Sequence, residues 1–148
     1  MKYKLIGIYE LITGAAGFVL IIISFIREII LNESVVYASF FLGIILFSLL
    51  GYSGYALIKG KKHGRKYSIA LQALQIFGFT YAGTKYVFCA SAFFSFIINN
   101  RLHFKISPDV IAYSIEKVPE MVPFELRIYI LPVIILLLML SRRQLSGN

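Results

Sequence analysis

The sequence predicts an all-α membrane protein: a bundle of four transmembrane helices with a small extracytoplasmic cap between the third and fourth. Three observations predict it. Hydrophobic residues make up 59% of the chain and charged residues only 15%, whereas a soluble domain is roughly 45–50% apolar and about 25% charged. The apolar residues gather into four long stretches. The basic residues fall in the gaps between them, and most collect on one side. With 148 residues there is room for one domain, residues 1–148.

The first stretch covers residues 5–26 and the second 35–58. The third begins at Tyr67 and stays apolar through residue 88, and the fourth covers 124–140. A helix needs about 20 residues to cross a hydrocarbon core about 30 Å thick. The first three stretches meet this. The fourth meets it if Glu125 and Arg127 reach outward to the headgroups, and Pro132 is expected to kink it. The first stretch has a basic start, Lys2 and Lys4, like a signal peptide. Glu10 interrupts its apolar run, and the run is longer than a signal core, so an uncleaved span is expected.

Orientation follows from counting Lys and Arg. With four spans, Lys2, Lys4, Lys59, Lys61, Lys62, Arg65, Lys66, Arg142 and Arg143 fall on one side. The other side holds Arg27, Arg101, Lys105 and Lys117, diluted by Glu28, Glu33, Asp109, Glu116 and Glu120. The expectation is a bacterial cytoplasmic (inner) membrane with both termini cytoplasmic. The net charge of +8 therefore points to lipid headgroups and not to nucleic acid. Lys59, Lys61, Lys62, Arg65 and Lys66 are the expected contacts with anionic headgroups.

Residues 89–123 form the outer cap. Residues 101–106 alternate polar and apolar, the period of a half-buried strand, and Asn99-Asn100 suits a tight turn. Residues 88–98 fit either a paired strand or an extension of the third helix. Ser107-Pro108-Asp109 reads as a helix start. A short amphipathic helix would follow, with Val110, Ile111, Ile115 and Val118 on one side and an end before Pro119.

Intramembrane polar groups are where function shows in such proteins. Gly7, Glu10, Gly14, Gly17 and Ser24 share one helical face, and small residues let a second helix approach. Gly51 and Gly54 read the same way in the second span. On the third, Gln75, Gly78, Ala82 and Lys85 share a face, with Gln72 nearby. At a rise of about 1.5 Å per residue, Glu10 lies about 9 Å from the basic side, Gln72 and Gln75 about 8–12 Å, and Lys85 about 27 Å. Glu10 is thus within reach of Gln72 or Gln75, while Lys85 would meet Glu125 or headgroups. Glu10 has two readings: a hydrogen bond that fixes helix packing, or a proton- or cation-binding site.

Other residues carry less. Cys89 stands alone, with no partner for a disulfide or a CxxC pair and no placed base, so it reads as a packed small hydrophobe. His63 and His103 lie apart, and no metal cluster, catalytic constellation or cofactor motif is visible. Four spans, small size and an acid early in the first, Glu10, resemble the small multidrug resistance transporters. That resemblance implies a glutamate that binds protons and cationic drugs in turn. The long segment 101–123 and the absence of tryptophan depart from that family. The single Cys89 excludes the chemistry of the four-span disulfide-forming enzymes of the vitamin K epoxide reductase type. Three functions stand. The first is a non-enzymatic accessory or interaction protein, binding another membrane protein or a second copy through its glycine-lined faces. The second is a small proton-coupled carrier centred on Glu10. The third, a lipid enzyme, lacks an HxxxD or DxxD pair.

Overall fold

The computed structural model describes residues 2–31, 37–90, 94–99, 104–108, 111–117 and 123–141. The chain begins with two long helices, α1 (Lys2–Ile30) and α2 (Tyr37–Ile58). Both are long and apolar enough to cross a membrane. The 29 residues of α1 reach about 43 Å, longer than a hydrocarbon core. The two run antiparallel, because their close contacts ascend α1 as they descend α2: Gly7 against Gly54, Gly14 against Gly51, Gly17 against Phe47. A Cβ on Gly14 would lie 2.5 Å from the Gly51 nitrogen, and one on Gly54 2.5 Å from the Gly7 carbonyl oxygen. The backbones touch, which only glycine allows.

α2 ends in a Schellman motif. Gly60 takes φ +69, its N–H donates to Leu57 O (3.1 Å), and Lys61 N donates to Ala56 O (2.9 Å). A left-handed residue is needed there, and glycine adopts it without strain. The chain turns straight into α3 (Lys62–Gln75). Its buried residues Gly64, Ser68, Leu71, Gln72 and Gln75 recur every three or four positions, an amphipathic face turned to α1 and α2.

From Gln75 onward the structure departs from four full spans. The third apolar stretch, 67–88, is not one helix: α3 stops at Gln75, and β1 (Phe77–Tyr81) and β2 (Thr84–Cys89) follow. Phe77, Thr80, Tyr81, Thr84, Tyr86, Val87 and Phe88 are aromatic or β-branched, the types that suit a pleated surface. Ala82 (φ 45) and Gly83 (φ 76) both take positive φ between the paired Tyr81 and Thr84. That is the two-residue hairpin turn whose twist matches the flanking strands. Residues 89–107 contain a hairpin rather than more helix: β3 (Phe94–Asn99) pairs with β4 (Phe104–Pro108). Asn100, Arg101 and His103 lie outside the described residues.

The amphipathic helix expected over 110–118 is instead a strand, β5 (Ala112–Lys117), paired with β2 from Cys89↔Ala112 to Thr84↔Lys117. Ser107 and Pro108 end β4 and do not start a helix; Asp109, Val110 and Val118 are outside the described residues. Tyr113 and Ile115 alternate with small or polar neighbours, and pairing with β2 satisfies a backbone that a lone short helix would leave marginal. The fourth stretch, 124–140, divides into β6 (Glu125–Tyr129) and α4 (Ile130–Leu140). Pro132 sits in the first turn of α4, where its missing N–H has no helical partner to lose, so it causes no kink. α3 and α4 reach about 21 Å and about 16 Å, too short to cross a bilayer as helices.

The antiparallel sheet has the order β4-β3-β6-β1-β2-β5. It stands beside the far half of the α1–α2 hairpin. Phe88 meets Phe47 edge-on at 5.3 Å, and the Tyr113 hydroxyl donates to Ser39 O at 2.7 Å. In the near half all four helices meet, with Leu57, Ile135 and Met139 buried among Tyr3, Ile6, Ile69 and Leu131.

Candidate functional site

Where the four-helix half meets the sheet, α1 places Glu10 in the interior, with no exposed surface. Its carboxyl is held from two other helices. Ser53 on α2 lies 2.7 Å from Oε2. On α3, Gln72 Nε2 donates to Oε1 at 2.9 Å, and the Ser68 hydroxyl donates to the same oxygen. Ser68 also touches Met139 of α4, its hydroxyl 3.3 Å from the sulfur. Among the described residues no basic side chain forms an ion pair with Glu10. The groups around it are Tyr9 on its own helix, Ser53, Ser68, Gln72 and the backbone.

Ser53 has one hydroxyl proton and two acceptors in reach: Glu10 Oε2 and, at 2.8 Å, Leu50 O. It can donate to an ionised carboxylate. It can equally donate to Leu50 O and accept from a protonated acid. The site therefore accommodates both forms of Glu10 without moving a helix.

The polar path continues beyond Gln72. Gln75 Oε1 accepts from Ala90 N at 3.2 Å, and the Tyr9 hydroxyl donates to Ala90 O. Ala90 directly follows the last residue of β2, Cys89, so these bonds tie the sheet to α1 and α3. Gln72 Oε1 and Gln75 Nε2, one acceptor and one donor, are buried without a partner among the described residues.

Among the residues singled out from sequence, the structure brings Glu10 and Gln72 into direct contact and puts Gln75 one step further along. Lys85 is not there. It lies on β2 across from Thr80, and Thr80 also pairs with Glu125 on the other side. Glu125 and Lys85 are thus two strand spacings apart, roughly 10 Å, and the Glu125 carboxylate accepts from Arg127 Nε at 2.5 Å. Gly7, Gly14, Gly17 and Gly54 line the α1–α2 contact. Gly51 contributes its backbone to that contact, while a Cβ there would meet open space. Gly7, Gly14, Gly17 and Gly54 are thus taken up by a contact within the chain. Cys89 is buried with Val87 and Tyr129.

Sequence reasoning did not connect Ser53 or Ser68 to Glu10. Ser68, Gln72 and Gln75 recur at the spacing of one helical face, and Ser53 sits between Tyr52 and Gly54 on the glycine face of α2. Those spacings were the available signal.

A second feature lies at the basic end. Lys62, Arg65, Lys66, Ile69 and Leu140 line a groove of about 430 Å³ between α3 and α4. Arg65 donates to Met139 O and lies over the Tyr3 ring at 5.9 Å, while its Nε is buried without a partner among the described residues. Lys59 and Lys61 point elsewhere, over the Tyr55 ring at 5.9 and 5.5 Å. No family model matches the chain, and neither a curated protein nor a solved structure shows significant similarity to it.

Proposed function

We propose that the chain is an integral membrane protein with a non-enzymatic, accessory role, in which Glu10 is a structural lock. The observation that carries this reading is the Glu10 carboxyl, sealed from solvent and bonded to Ser53, Ser68 and Gln72 of two other helices. A carrier's binding group needs access from at least one side; a lock needs none. With the glycine faces occupied inside the chain, contact with a partner protein or a second copy falls to the remaining surface.

A bacterial cytoplasmic membrane with the termini inside suits the basic end, where the start of α1, Lys59 to Lys66 and the end of α4 come together. The groove pairs cations with an apolar wall at Ile69 and Leu140, the chemistry of an anionic phospholipid's headgroup and first methylenes.

The carrier reading keeps one specific support, the two proton arrangements open to Ser53. Reconstitution under an imposed pH gradient, in phosphatidylcholine vesicles with and without phosphatidylglycerol, tests both readings. The chain should leave the gradient intact and retain phosphatidylglycerol preferentially on re-extraction. A gradient that collapses with the wild type and persists with Glu10→Gln would make Glu10 a carrier site and sink the lock.

A further inference from the structure

The sheet leaves much of its apolar face uncovered. Register places Phe96, Ile128 and Phe77 in one cross-strand row, and Ile98, Leu126, Phe79 and Tyr86 in the next row on the same face. Phe77, Phe79, Tyr81 and Phe96 are 51%, 39%, 64% and 41% exposed. The opposite face carries Thr80, Lys85, Glu125 and Arg127, all half-buried, together with Ser95 and a small buried cluster of Val87, Cys89 and Tyr129. Antiparallel sheets in water put the apolar face on the core and the charged face outside. Here that apolar face meets α2 at its β2–β5 end, where Phe88 packs on Phe47 and Tyr113 reaches Ser39, while Phe77, Phe79 and Phe96 on the same face beyond it stay exposed, as they would where the outer solvent is hydrocarbon.

Depth agrees with this. The sheet is bonded to the α1–α2 hairpin at Tyr9 through Ala90 and at Ser39 through Tyr113, with Phe47 against Phe88 between them. A bilayer crossed by that hairpin meets the strands at the same level. The aromatic face then continues the exposed apolar surface of the hairpin, which includes Ile12 and Ile45.

We infer that the uncovered part of the apolar face, centred on Phe77, Phe79 and Phe96, lies against bilayer lipid, so that the chain completes its crossing with strands where α3 and α4 stop short. This rests on the reading of α1 and α2 as membrane spans. The half-buried charged row is kept off the lipid by the same alternation, and Tyr81 at the end of β1 suits the headgroup interface.

The chain has no tryptophan, so single-tryptophan variants report one position each. Phe79→Trp and Phe96→Trp probe the sheet, and Ile45→Trp probes α2. Each is placed in phosphatidylcholine bilayers with bromine on the acyl chains, and separately titrated with aqueous iodide. All three should lose most of their emission to brominated lipid and little to iodide. If only Ile45→Trp responds to bromine and the sheet variants respond to iodide, the spans stand and the inference about the sheet falls. If Ile45→Trp responds to bromine and the sheet variants respond to neither quencher, protein covers that face, a second copy for instance, and the inference again falls. If none responds to bromine, the membrane reading falls with it.

Discussion

Glu10→Leu is expected to destabilise the fold by about 3 kcal/mol or more, while Glu10→Gln changes stability by no more than about 1 kcal/mol. Leucine removes the acceptor for Ser68 and Gln72 together and leaves the Gln72 amide buried without a partner. Each stranded donor costs about 1–3 kcal/mol. Glutamine keeps one carboxamide oxygen for those two donors. Its NH₂ can then donate to Ser53, which turns its own proton to Leu50 O, already 2.8 Å away. Denaturation midpoints in detergent micelles, read by far-ultraviolet circular dichroism, separate the two variants. Equal losses for leucine and glutamine would mean that the negative charge, rather than the hydrogen bonds, holds the helices.

The second large effect belongs to the helix contact. Gly14→Ala should cost about 3 kcal/mol, because its Cβ would be driven onto the backbone of Gly51 and neither helix can yield without repacking. Gly51→Ala, on the facing helix, meets nothing within 4 Å and should gain about 0.5–1 kcal/mol from helix propensity alone. The same denaturation assay checks both. A Gly51→Ala variant as unstable as Gly14→Ala would contradict the geometry of the α1–α2 contact.

The first half of the chain was readable because its signals are additive: long apolar runs, glycines on one face, and a basic turn carrying Gly60. Length and composition alone reveal α1 and α2. The second half was not readable in the same way. Residues 77–89 are rich in aromatic and apolar side chains, and such a pattern cannot by itself tell a helix from strands with one apolar face. Ala82-Gly83 was the local clue, but alanine is an unusual first residue for a turn that needs positive φ at both positions. The strand at 112–117 depends on pairing with β2, a partner more than twenty residues away, and local pattern does not carry that information. Glu10 was legible as a buried acid, and depth put Gln72 and Gln75 within its reach. Ser53 and Ser68 were not, since serine is common on helix-packing faces and only the three-helix geometry selects these two.

The most direct test of Glu10 as a sealed lock is the infrared carboxyl absorption of the protein in lipid, followed from about pH 4 to about pH 10 with Glu10→Gln as the reference. A sealed carboxyl gives a band assigned to Glu10 that stays in one protonation state across the range and does not respond to added organic cations. A band that titrates near neutral pH and shifts when such cations are added would contradict the lock, and would make Glu10 an accessible binding site.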